Sequence, residues 1–209
     1  MPFTCCPVCC SHNHLLCEAG FSVKFLVSIS KALIEPEQLK RADLLVITKF
    51  NNDSPDAIVT TGDTTVDALI AAGEKENHFI AGPAQSFRFN LKERGYKTDG
   101  LGHVLVIGLG PREIFEQHTA CQVFTDVLKT AEELKVNRLT VPLESLAGGG
   151  FNQTLSAAIL RCGVAVLIVG NRTGALKEVE LICHPEAKYL LDDGVHVPGP
   201  LCHFCPLLS

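Results

Sequence analysis

The chain has 209 residues, 46% hydrophobic and 20% charged, with a formal net charge of −5. That length accommodates one domain with a substantial core and leaves no room for a second large catalytic domain, and the acidic balance gives no general electrostatic reason to bind nucleic acid. No apolar run reaches the length of a membrane helix and the N-terminus lacks the basic-then-apolar order of a secretory signal, so a cytoplasmic protein is expected.

The chain divides by composition. Residues 1–22 are a Cys/His-rich appendage without the periodicity of a core element, and they hold Cys5, Cys6, Cys9, Cys10, Cys17, His12 and His14. Residues 23–193 carry the periodic segments of a domain, and residues 194–209 form a tail in which Pro198-Gly-Pro200 precedes Cys202-His-Phe-Cys205. Cys6 with Cys9 and Cys202 with Cys205 are two Cys-x-x-Cys pairs, the ligand set of a tetrahedral zinc site if the termini meet. Redox-labile tails, lipid-modified cysteines and disulfides are the alternatives. Cys121, Cys162 and Cys183 fall in core-like segments, where cysteine acts as a small buried hydrophobe.

Within the domain, Val23 to Ser30 reads as the first strand, Pro36 to Leu39 as a short turn or helix, and Ala42 to Phe50 as the second strand, stopped by the polar Asn51 to Pro55. Asp56 to Val59 fits a short strand or a loop entry. A helix is expected from Val66 through Ala72, capped by the polar residues before it, Asp63 among them, and ended by Gly73. Phe79 to Phe89 has β character, and Gly95 to Gly102 is a turn-rich link.

The stretch from His103 to Ala158 organises the rest. His103 to Pro111 is an apolar run ending in glycines, as for a strand buried on both faces. Arg112 to Leu134 keeps its apolar residues to one helical face, Arg138 to Leu143 is a further strand, and Ser145 to Asn152 is glycine-rich and feeds a helix from Gln153. This βαβ unit predicts an α/β fold: a three-layer α/β/α sandwich with a mixed, largely parallel central sheet. Val164 to Val169 could continue the preceding helix or form a strand. Val179 to Cys183 is a final strand and Pro185 to Leu191 a short closing helix.

In this order of elements, Val23 to Asp193 resembles the macro-domain-like fold, and within it the N-terminal domain of leucyl aminopeptidases. The resemblance rests on Ala42-Asp-Leu-Leu-Val-Ile, on the Gly-Leu-Gly strand end of Val104 to Gly110, and on the helix and strand that follow. The aminopeptidases bind two metal ions through an Asn-Thr-Asp-Ala-Glu-Gly-Arg segment in a C-terminal domain; that segment is absent, so no peptidase activity is expected. Macro domains hold the diphosphate of ADP-ribose on two strand-end loops. The matching second loop is Ser145 to Asn152, with Gly148, Gly149 and Gly150 admitting an anion near a helix start and Phe151 set against the ribose. Gly108, Leu109 and Gly110 would lie beside it. The first loop departs from the macro pattern: it has Asn51 and Asn52, then Gly62-Asp63 where a glycine triplet is usual.

Three functions follow. The first is a non-peptidase module of the aminopeptidase N-terminal type, acting through protein contacts or oligomerisation. The second is a binder of ADP-ribose or a related phosphate-containing nucleotide, with hydrolase activity as an extension. The third is an interaction protein organised by zinc at its terminal cysteines. Fold analogy supports the first two without deciding between them, since function resides in sites rather than folds, and the module reading is favoured by a small margin.

Overall fold

The computed structural model describes residues 22–51, 61–96, 100–143, 153–169 and 173–196. Six strands form one sheet: β1 (Lys24–Ile29), β2 (Leu44–Phe50), β3 (Ser86–Asn90), β4 (His103–Gly110), β5 (Arg138–Pro142) and β6 (Glu178–Cys183), in the spatial order β1-β6-β5-β2-β4-β3. Every pairing is parallel except that of β3 with β4. The helices are α1 (Pro36–Arg41), α2 (Thr64–Glu76), α3 (Gln117–Leu134), α4 (Gln153–Val169) and α5 (Lys188–His196), with 3-10 turns at Arg112–Ile114 and Pro185–Ala187.

The period-two alternation of the strands divides the core into two layers. Val46, Phe50, Leu105, Ile107, Leu139, Val141 and Leu181 point to the face covered by α3, α4 and α5. Leu45, Ile47, Val104, Val106 and Ile182 point to the other, covered by Leu39 of α1 and Val66 and Ile70 of α2. The result is the three-layer α/β/α sandwich expected from the sequence.

Asp43, just before β2, joins three strands at their N-terminal ends. Its carbonyl accepts from the N–H groups of Gly102 (3.2 Å) and His103 (2.9 Å), and its carboxylate from those of Asn137 (2.8 Å) and Arg138 (2.9 Å). On the α1–α2 face, Glu180 is buried at mid-strand with 1% exposure. Its Oε1 accepts from Ser28 Oγ (2.6 Å) and Arg41 Nη2 (3.2 Å), while its Oε2 and the Oγ1 of Thr140, the residue paired with it on β5, have no hydrogen-bond partner among the described residues.

Four boundaries differ from the sequence reading. The helix expected from Arg112 begins at Gln117, because Phe115 and Glu116 are extended and Phe115 turns into the core. Gly73 lies inside α2 rather than ending it: a Cβ there would stand 2.5 Å from the Phe87 ring, so the glycine makes room for an aromatic. Only the last part of Phe79 to Phe89 is a strand. α5 runs past Leu191 to His196, and Val164 to Val169, open in sequence between helix and strand, continues α4, which is buried on nearly all sides. Asp56 to Val59 lies outside the described residues.

Candidate functional site

β2 is followed by a helix on one face of the sheet, whereas its neighbours β4 and β5 are followed by helices on the other. At such a reversal the connections part and a crevice opens beyond the carboxyl ends of the strands, where ligands of open α/β sheets bind. Phe50 and Asn51 from β2, Gly108 to Arg112 from β4 and Leu143 from β5 reach this edge.

The structure brings together Asn51, Gly108, Leu109 and Gly110 among the residues singled out from sequence. Asn51 donates its N–H to the Gly110 carbonyl at 3.1 Å, and Leu109 is buried in the core. Phe50 meets Phe115 edge-on, with ring centroids 5.2 Å apart, and the Arg112 guanidinium carbon lies over the Phe50 ring, 4.1 Å from its centroid, a cation on an aromatic face. On the other side of β2, Lys49 Nζ pairs with Glu74 of α2. Asn52, Ser145, Gly148, Gly149, Gly150, Phe151, Asn152 and the cysteines Cys6, Cys9, Cys202 and Cys205 lie outside the described residues.

The glycines of β4 are occupied by the chain itself. Gly108 donates its N–H to Gln85 O (2.7 Å) and accepts from Ala84 N–H (3.1 Å), and Gly110 donates to Ala81 O (2.9 Å). A Cβ on Gly108 would stand 2.3 Å from the Gly82 carbonyl oxygen, and one on Gly110 would stand 2.7 Å from Pro83 Cγ. Both positions therefore need glycine so that the segment before β3 can sit against the strand end. That segment is strained, with Ala81 at φ 54° and Ala84 at φ 56°, in a region that costs an L-residue about 1–2 kcal/mol.

The start of α2 is likewise filled. Asp63 caps it as the sequence suggests, its Oδ1 accepting from Thr65 N–H (2.9 Å) and Val66 N–H (3.1 Å), and its other oxygen accepts from the Tyr96 hydroxyl. Asp67 accepts from the N–H and hydroxyl of Thr61, both at 2.7 Å. Burial alone would raise the Asp63 carboxyl; the bonds from Tyr96, Val66 and Thr65 outweigh it and hold Asp63 below its ordinary value. Burial and the Asp63 contact push Tyr96 up to about 12. Two carboxylates thus stand where an anion would meet the helix dipole.

His103 lies at the opposite end of β4, where burial lowers its pKa, and His118 is exposed on α3. Sequence reasoning missed Gln85, Ala81 and Arg112. The Gly82-Pro83 dipeptide inside an otherwise strand-like run was the available signal.

No family profile and no curated protein matches the chain. Solved structures do. A tomato leucine aminopeptidase superposes with a TM-score of 0.56 at 17% identity, covering 84% of this chain and 36% of the aminopeptidase. A macrodomain from Oceanobacillus iheyensis gives 0.57 at 9% identity, covering 83% of this chain and 92% of its own. The Trypanosoma brucei macrodomain in complex with ADP gives 0.56 at 12%, covering 82% and 68%. The chain spans about a third of the aminopeptidase's length, and it has the macrodomain-like fold that these proteins share.

Proposed function

We propose that the chain is a binding module of the type found at the N-terminal end of leucyl aminopeptidases, and that it works by engaging another polypeptide. The observation that supports this reading is the self-occupied rim: Asp63 takes the N–H groups at the start of α2, and the carbonyls of Ala81 and Gln85 take those of Gly110 and Gly108. A diphosphate at these two places would displace a hydrogen bond for each one it made. The test is the thermal melting of the purified chain with ADP-ribose, with AMP and ribose 5-phosphate as controls. A ligand at about a hundredfold its dissociation constant adds roughly 2.7 kcal/mol to the native state. The expected result is no ADP-ribose-specific shift at millimolar ligand; a specific shift would overturn the reading.

A nucleotide of the ADP-ribose class is the second reading, supported by the Arg112 guanidinium on Phe50 beside Asn51 at the reversal point. On this reading ADP-ribose raises the melting temperature and Arg112→Ala abolishes the shift. Hydrolysis of an ADP-ribosyl bond would then be the next assay.

A further inference from the structure

We propose that His78 to Gln85 form a displaceable strap, and that the end of β4 beneath it accepts an extended segment of a partner polypeptide in the strap's place. The inference rests on the module reading and names the site at which the partner would bind.

Three features set the strap apart from the sheet it borders. Its conformation is held from within: Gln85 Oε1 accepts from Ile80 N–H (2.9 Å) and Gly82 N–H (3.3 Å), Gln85 Nε2 donates to His78 O (3.2 Å), and Gln85 N–H donates to Gly82 O (3.0 Å). One side chain therefore latches the segment. Its backbone is strained, since His78, Ala81 and Ala84 hold three of the four positive φ values of non-glycine residues recorded among the described residues. Its apolar anchors are few: Phe79 lies edge-on to Phe87 and the small Ala81 is buried, whereas Ile80 between them is 74% exposed.

The contacts between strap and strand identify the replacement. Gly108 N–H and Gly110 N–H donate to the strap, and Gly108 C=O accepts from it. A phosphate or carboxylate could satisfy the two donors but has no proton for the Gly108 carbonyl. An extended peptide offers carbonyls and N–H groups in alternation and can replace all three bonds, as in strand addition to a sheet edge. The seat is lined by Gly108 and Gly110, where no Cβ obstructs a second backbone.

Amide hydrogen exchange resolved at single residues tests the strap. In the wild-type chain the Gly108 and Gly110 amides should exchange at least about tenfold faster than those of Val104 to Val106, through an opening that leaves the rest of β4 paired. Gln85→Ala, which removes three latch bonds, should accelerate Gly108 and Gly110 by a further factor of about ten and leave Val104 to Val106 within about threefold. Ala81→Gly, which relieves one left-handed residue, should slow Gly110 instead, a readout that stands even where Gln85→Ala fails to fold. A fluorescent peptide with the sequence of His78 to Ser86 should bind the Gln85→Ala chain saturably, and adding Gly108→Ala should abolish that binding by filling the seat. Equal exchange along β4 in both the wild type and Gln85→Ala would refute the strap. Opening without peptide binding would refute the partner site. Neither result depends on ADP-ribose, whose specific shift bears on the module reading alone.

Discussion

The buried Glu180 carboxylate permits a calculation with opposite outcomes for its two partners. Arg41→Ala leaves Glu180, 1% exposed, with only the Ser28 hydroxyl on Oε1 and no partner on Oε2 among the described residues. Breaking a fully buried ion pair from one side costs about 3–5 kcal/mol. The Arg41 side chain is 52% exposed, so solvent already screens the pair and the expected loss falls to about 1–3 kcal/mol. Glu180→Gln removes the charge instead. The glutamine keeps an acceptor for Ser28 and gains an N–H on the side chain paired across the strands with Thr140, whose Oγ1 has no partner among the described residues, so the change should stay within about 1 kcal/mol of wild type. The double variant should resemble Glu180→Gln alone, giving a coupling equal to the Arg41→Ala loss, about 1–3 kcal/mol. Urea unfolding with an unchanged slope measures all three. An Arg41→Ala loss below about 0.5 kcal/mol, or a Glu180→Gln loss larger than that of Arg41→Ala, would refute the reasoning.

The Tyr96 and Asp63 pair sets both ends of a pH profile. Asp63, held below 3.8, contributes stability that is present above that value and lost as pH falls through its lower folded value, whereas Tyr96, raised to about 12, contributes fully below pH 10 and loses that contribution as pH rises toward 12. Tyr96→Phe should weaken both limbs, and an unchanged profile would refute the coupling. At Gly194 on α5 a Cβ would stand 2.3 Å from the Thr154 carbonyl oxygen of α4, so Gly194→Ala should lower stability by about 1–3 kcal/mol; an unshifted melt would show that the helices can separate freely. The zinc proposal for Cys6, Cys9, Cys202 and Cys205 is tested by metal analysis of the full chain purified without chelator. One zinc per chain, lost in Cys6→Ser/Cys9→Ser, is expected, and an absence of stoichiometric zinc would end it.

Local periodicity made most of the architecture legible. β4 announced itself as a continuous apolar run ending in glycines and α3 by its one-faced helical spacing, and with β5 after them a parallel βαβ unit follows from the order. α4 was ambiguous at Val164 to Val169 because a helix buried on nearly all sides loses the one-faced pattern that identifies it. Gly73 misled for a different reason: a glycine that clears an aromatic ring looks the same in sequence as one that ends a helix. The strand-end glycines Gly108 and Gly110 were placed at the correct edge, but which group they face is a tertiary fact. Ala81 and Gln85, more than twenty residues earlier, carry no local mark of that contact.

The Asp43 junction has a consequence for how the chain reaches this structure. One residue ahead of β2 fixes the register of that strand against β4 and β5, and its carboxylate bonds span 94 and 95 residues. β2 lies between two strands that come later in the sequence, so it cannot be paired on both edges until Arg138 has been synthesised. Closing such long loops precedes the contacts that reward it, which makes assembly of the central sheet slow relative to its helices. During synthesis the apolar run from Leu44 to Ile47 waits with both edges unpaired. That interval is when a chaperone would matter most to this protein.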